Sequence, residues 1–165
     1  MSDDLNIPAK ALAKREKYEM LLPQISALIE GESDAMANIG NIMAALKYGM
    51  DWLWVGIYFV KQHINNDELV LGPFQGPVAC TRIQTGKGVC GYAWQNHCVV
   101  IVDDVDKFPG HIACSALSKA EIVLPIFKSG KVIGVLDIDS EILFGLDDTD
   151  QKGLEPIITL IASCF

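Results

Sequence analysis

The chain has 165 residues, 50% of them hydrophobic and 21% charged, which is too apolar for a disordered polymer and long enough for one domain with a sizeable core. Thirteen basic residues against 21 acidic ones leave a formal charge of −8, a surface that repels phosphate backbones and anionic lipid and so excludes nucleic-acid and membrane-surface roles. No apolar run approaches the roughly 18 residues of a membrane span, and the opening Met-Ser-Asp-Asp has no basic stretch leading into an apolar one, so the expected compartment is the cytoplasm.

In chain order, Pro8 to Glu30 predicts a helix, with Pro8 suited to its first turn and Pro23 expected to kink or divide it. A second helix is expected from Asp34 to Tyr48, capped by Ser33 and stopped at Gly49, because Met36, Ile39, Ile42, Met43 and Leu46 recur at helical spacing. Trp52 to Val60, aromatic and β-branched, predicts a central strand. Asn65-Asn66-Asp67 is a turn signal, and Glu68 to Leu71 a partner strand. From Gly72 to Gly88 glycine and proline predict a loop, followed by a short helix over Val89–Asn96 and a strand over Cys98–Val102. Asp103 to Ser118 is again irregular. Glu121–Phe127 and Lys131–Asp139 flank Ser129-Gly130 and predict a hairpin, and a last helix starts near Asp147 or Asp148. Hairpin-linked strands bracketed by helices make an α+β fold with a central antiparallel sheet, in one domain over 1–165 with its core roughly at 14–161. Two long loops in so short a chain are a functional signal, and both carry cysteines.

The chemistry-bearing residues are few. Asp137 and Asp139, two apart on a strand, share a face, and counting outward from Ser129-Gly130 sets Glu121 near one of them. Three crowded acids invite a cationic ligand group such as an ammonium and raise at least one carboxyl pKa, although acids at a strand end more often sit in water. Trp54 and Tyr58, four apart with Gly56 between, point to one face and suit either a core or an aromatic pocket wall.

The five cysteines are Cys80, Cys90, Cys98, Cys114 and Cys164; an odd number in a reducing compartment argues against a disulfide framework. Their spacings lack the close pairs of a structural zinc site, and His97 and His111 suit surface or hydrogen-bonded roles. Cys90 follows Gly86-Lys87-Gly88 at a helix start, where the dipole favours thiolate. Cys114 lies in the second long loop, and Cys98 and Cys164 suit structural positions.

The element order resembles a GAF domain. Within that fold, Gly-Pro-Phe-Gln-Gly-Pro-Val-Ala-Cys80, Gly-Lys-Gly-Val-Cys90-Gly, Phe-Pro-Gly-His-Ile-Ala-Cys114 and the acids from Glu121 through Asp137-Ile-Asp139-Ser resemble free methionine-R-sulfoxide reductases over nearly the whole chain. The resemblance implies N- and C-terminal helices packed on one side of the sheet, free methionine sulfoxide as substrate and no metal, flavin or nicotinamide cofactor. It further implies Cys114 as nucleophile, Cys80 as resolving thiol and Cys90 as accessory thiol, although the helix-start argument favours Cys90 as the activated thiol. Glu121, Asp137 and Asp139 would meet the substrate ammonium, and Trp54 and Tyr58 its S-methyl group. Thioredoxin would reduce the resulting disulfide. GAF-like domains also leave room for a homodimer through the terminal helices, and for a non-catalytic sensory module using the same pocket.

Overall fold

The computed structural model describes residues 4–62, 64, 66–112 and 115–165, so Cys114 lies outside the described residues. Helix α1 (Lys14–Ile29) starts later than Pro8. Its first turn is organised by Glu16, whose carboxylate accepts the Ala13 N–H at 2.9 Å. The helix runs through Pro23 as one element. Beside the ladder bond that the proline removes, the Gln24 side-chain amide donates to the Met20 carbonyl at 2.8 Å.

Helix α2 (Ala35–Met50) is capped by Asp34 rather than Ser33: the Asp34 carboxylate accepts the Ala37 N–H at 2.9 Å. It passes Gly49 and ends on left-handed Asp51, φ 59°. Gly49 is a packing position instead of a stop. A Cβ there would lie 2.6 Å from the Leu21 methyl carbons of α1, so the glycine lets the two helices approach.

Among the described residues six strands follow: β1 (Trp54–Lys61), β2 (Glu68–Gln75), β3 (Arg82–Gln84), β4 (Val100–Val102), β5 (Ala120–Lys128) and β6 (Lys131–Ser140). They form one sheet in the order β3-β2-β1-β6-β5-β4, each neighbour antiparallel. The β5–β6 hairpin turns at Ser129 and Gly130, both with positive φ (50° and 76°), the geometry whose twist matches a two-residue connection. Strand β3 lies inside the segment expected as loop; it is three residues long with only Ile83 buried, too short to carry an alternation. Helix α3 (Gly88–Asn96) takes the chain from β3 at one edge to β4 at the other, and α4 (Asp148–Ser163) closes the fold.

Alternation sorts the strands into two faces. Val55, Ile57, Ile122, Leu124, Leu136 and Ile138 point to one face and bury against α1, α2 and α4. The fold is therefore α+β, with the N- and C-terminal helices on one side of the sheet. Trp54, Tyr58, Val123 and Val135 point to the other, where α3 supplies Val89, Cys90, Ala93 and Trp94.

One buried charge ties the terminal helices together. Asp150, in the first turn of α4, is fully buried; it accepts the Tyr18 hydroxyl at 3.0 Å and the Asp147 N–H at 2.9 Å and pairs with Lys14. Asp150→Ala strips these partners at once and is expected to lower stability by about 3 kcal/mol, read as a shifted urea midpoint with an unchanged slope.

Candidate active site

The register of the central strands builds a cluster on the α3 face. Trp54 of β1 lies opposite Asp139 of β6, Gly56 opposite Asp137 and Tyr58 opposite Val135. On the other flank of β6, Glu121 of β5 pairs with Asp139, and Val123 with Asp137. Directly opposed residues share a face, so two aromatic rings and three carboxylates line one side of three adjacent strands. The hairpin count from Ser129-Gly130 had set Glu121 near one of these two aspartates; the partner is Asp139.

Trp54, Tyr58, Cys90, Glu121, Asp137 and Asp139 line a pocket with about 560 Å³ of empty space, its open mouth included. Trp54 stacks between Tyr58 (centroids 6.1 Å apart, 26°) and Phe74 (5.5 Å, 18°). The indole spreads over Gly56, where a Cβ would stand 2.1 Å from its Cη2 atom. Gly56→Ala is thus expected to displace the indole and destabilise the fold by about 1–3 kcal/mol, seen as a changed near-ultraviolet circular dichroism signal together with a lower Tm. Both rings also hold the loop after β2: the Trp54 Nε1–H donates to the Pro77 carbonyl at 3.0 Å and the Tyr58 hydroxyl to the Cys80 carbonyl at 3.0 Å.

Two of the acids are buried rather than at a wet strand end, Glu121 6% and Asp137 7% exposed, and Asp139 is half-buried. Burial, reinforced by the charge of Asp139, holds the Glu121 carboxyl well above the usual range, with its contact to Asp137 pulling the other way. Burial and the charges of Glu121 and Asp139 likewise push Asp137 well up. Its Oδ1 is buried without a hydrogen-bond partner. Asp139 is raised by burial but moderated by Ser118, whose hydroxyl donates to Oδ1, and by nearby His111. His111 Nε2 stands 3.3 Å from Glu121 Oε2, with only 12% of its side chain exposed.

Cys90 occupies the first turn of α3, as expected, but the expected activation is overturned. Its thiol is pushed well up, first by burial and then by the charges of Asp137 and Glu121. The helix terminus is a partial charge screened within a turn, whereas full carboxylates lie across the pocket. Cys80 is half-buried; its neighbour Ala79 lines the pocket, while its own carbonyl is the acceptor for Tyr58. Cys114 belongs to the undescribed pair 113–114, which is flanked by Ile112 and Ser115, both lining the pocket. Cys98 is exposed and Cys164 half-buried, and neither lines the pocket.

Sequence reasoning left out His111 and Ser118 as site residues. Their contacts run from the second long loop to β5 and β6, and no spacing along the chain announces such pairings; the one available signal for His111 was its place in the Cys114 motif.

The GAF domain family matches residues 34–165. GAF domain-containing protein A of Dictyostelium discoideum is 54% identical over 161 residues, spanning 98% of this chain and 99% of that protein. The free methionine-R-sulfoxide reductase of Escherichia coli is 43% identical over 146 residues, 88% of this chain and 86% of that one. Among solved structures, free methionine-R-sulfoxide reductase from Neisseria meningitidis in complex with its substrate superposes with a TM-score of 0.91 at 47% identity, covering 98% of this chain and 96% of that one. The fold, the matched span and these identities agree: the chain belongs to the GAF-domain family of free methionine-R-sulfoxide reductases.

Proposed function

We propose that this chain reduces free methionine R-sulfoxide to methionine, with cysteine thiols as the electron source. The observation that carries the reading is the union, in one pocket, of an aromatic wall, a thiol, two buried carboxyls and a half-buried third. A free amino acid presents an ammonium, which offsets the crowded negative charge of Glu121, Asp137 and Asp139. Its S-methyl group is apolar and suits the Trp54–Tyr58 wall. Similarity to reductases solved with substrate supports the same assignment.

In the proposed reaction, Cys114 as thiolate attacks the sulfoxide sulfur while a carboxyl that keeps its proton gives it to the sulfoxide oxygen. Two electrons pass from cysteine to substrate; methionine leaves and the cysteine becomes a sulfenic acid. Cys80 condenses with that acid, forming a disulfide and releasing water, and thioredoxin reduces the disulfide by dithiol exchange. Cys90 serves as an accessory thiol. Three observations support this division of roles. Burial and the facing acids hold the Cys90 thiol protonated, Ile112 and Ser115 border the pocket on either side of 113–114, and Tyr58 tethers the Cys80 backbone. The whole chain, 1–165, acts as one unit in this reading, without a cofactor, in the reducing cytoplasm; no described helix is long and apolar enough to cross a membrane. A homodimer through the terminal helices belongs to the same reading, checked by light scattering.

Incubation of the reduced protein with each epimer of free methionine sulfoxide and dithiothreitol tests the proposal. Methionine is expected from the R epimer, with the S epimer left behind. Folded, reduced protein that turns over neither epimer would replace the reductase with a GAF-type binding module.

A further inference from the structure

Within the same pocket, Cys90 Sγ and one carboxylate oxygen each from Glu121 and Asp137 lie within 4.8 Å of one another, and all three residues are buried. Ligands around a tetrahedral ion with bonds of about 2.0–2.3 Å stand roughly 3.5 Å apart, so small side-chain rotations close the triangle. Asp137 Oδ1 is buried in this cluster without a hydrogen-bond partner, an orphaned polar atom that a bound ion would satisfy. Among the described residues, the basic side chain that reaches this cluster is His111, whose Nε2 stands 3.3 Å from Glu121 Oε2. We propose that the reduced, substrate-free pocket binds one thiophilic divalent cation of the zinc type through Cys90, Glu121 and Asp137, and that this cation and the substrate ammonium exclude each other.

The donor set selects the ion. A thiolate with two carboxylates suits zinc or cadmium, and three donors including sulfur are the wrong number and kind for calcium or magnesium, which take six or more oxygens. On binding, the thiol loses its proton to solvent and the cation neutralises the two acids. The fourth position stays open to solvent on the pocket side. Such an ion is no part of the reduction; it occupies the ground on which the ammonium would sit and turns the pocket off.

The test uses the full-length protein, reduced and freed of small thiols, in a Cys98→Ser background that removes the exposed thiol. Cadmium titration is expected to give one thiolate-to-cadmium charge-transfer band per chain, saturating at one equivalent. That band should vanish in Cys90→Ser, and zinc affinity by calorimetry should fall at least about tenfold in both Asp137→Asn and Glu121→Gln. A band that survives Cys90→Ser, or zinc affinity unchanged in both carboxylate variants, would overturn the site. The inhibition arm alone rests on the reductase reading: zinc should suppress the first turnover and excess EDTA restore it. Turnover in EDTA without any zinc binding would sink the cation site and leave the reductase standing, whereas zinc binding without turnover would do the reverse.

Discussion

Cys114→Ser is expected to reduce the first turnover of free methionine R-sulfoxide by at least about a thousandfold while leaving the fold intact, because a hydroxyl cannot replace the attacking thiolate. Rapid quenching of reduced protein, with no external reductant, reads that single turnover directly. Cys80→Ser should still release methionine once and then stall, leaving a sulfenic acid open to a trapping reagent and defeating thioredoxin recycling. Cys90→Ser should slow the reaction without abolishing it. The reasoning lies in the Cys90 environment: the same burial and facing carboxylates that hold its thiol protonated make it a poor nucleophile at neutral pH. If Cys90→Ser alone eliminated the first turnover, the assignment of Cys114 would be wrong.

The second large effect concerns the acids, and here function and stability should move in opposite directions. Asp137→Asn and Glu121→Gln remove charge that the substrate ammonium would meet, and kcat/KM is expected to drop about 30-fold or more in each. The same substitutions relieve the crowding of buried carboxylates in the free protein. Both carboxyls titrate higher in the folded chain than in the unfolded one, whose values are near 3.8 for Asp and 4.5 for Glu. The folded state therefore binds more protons, so the stability these groups contribute is full below the unfolded values and is lost as pH rises through the raised ones. Relative to either variant, the parent should lose stability as pH is taken from about 4 to 8. Urea unfolding across that range measures the gap, and a gap independent of pH, with kinetics unchanged, would return the acids to solvent.

Much of the arrangement could be read before any coordinates, where the physics was local. Ser129-Gly130 announced a two-residue turn, but plain counting from it sets Glu121 opposite Ile138, and only the register shift between Ile126 and Phe127 brings it to Asp139; the Trp54–Tyr58 spacing set two rings on one face because strand side chains alternate. What escaped was either too short or too distant in sequence. Arg82-Ile83-Gln84 makes a strand only because β2 offers it an edge. Ser33 and Asp34 are both good caps, and only the backbone geometry decides that the Asp34 side chain reaches the Ala37 N–H. Gly49 looked like a helix stop because its role is to admit Leu21 from another helix. The sign of the Cys90 shift failed for the same reason: a helix start is visible in ten residues, whereas the acids that overwhelm it come from β5 and β6, some 30 to 50 positions further along.

The most direct measurement is a thiol count on the fully reduced, five-cysteine chain before and after one addition of free methionine R-sulfoxide in the absence of reductant. Two thiols should disappear for each methionine released, and the loss should reverse with thioredoxin. A thiol count that stays at five while the protein remains folded and substrate is present in excess would contradict the account.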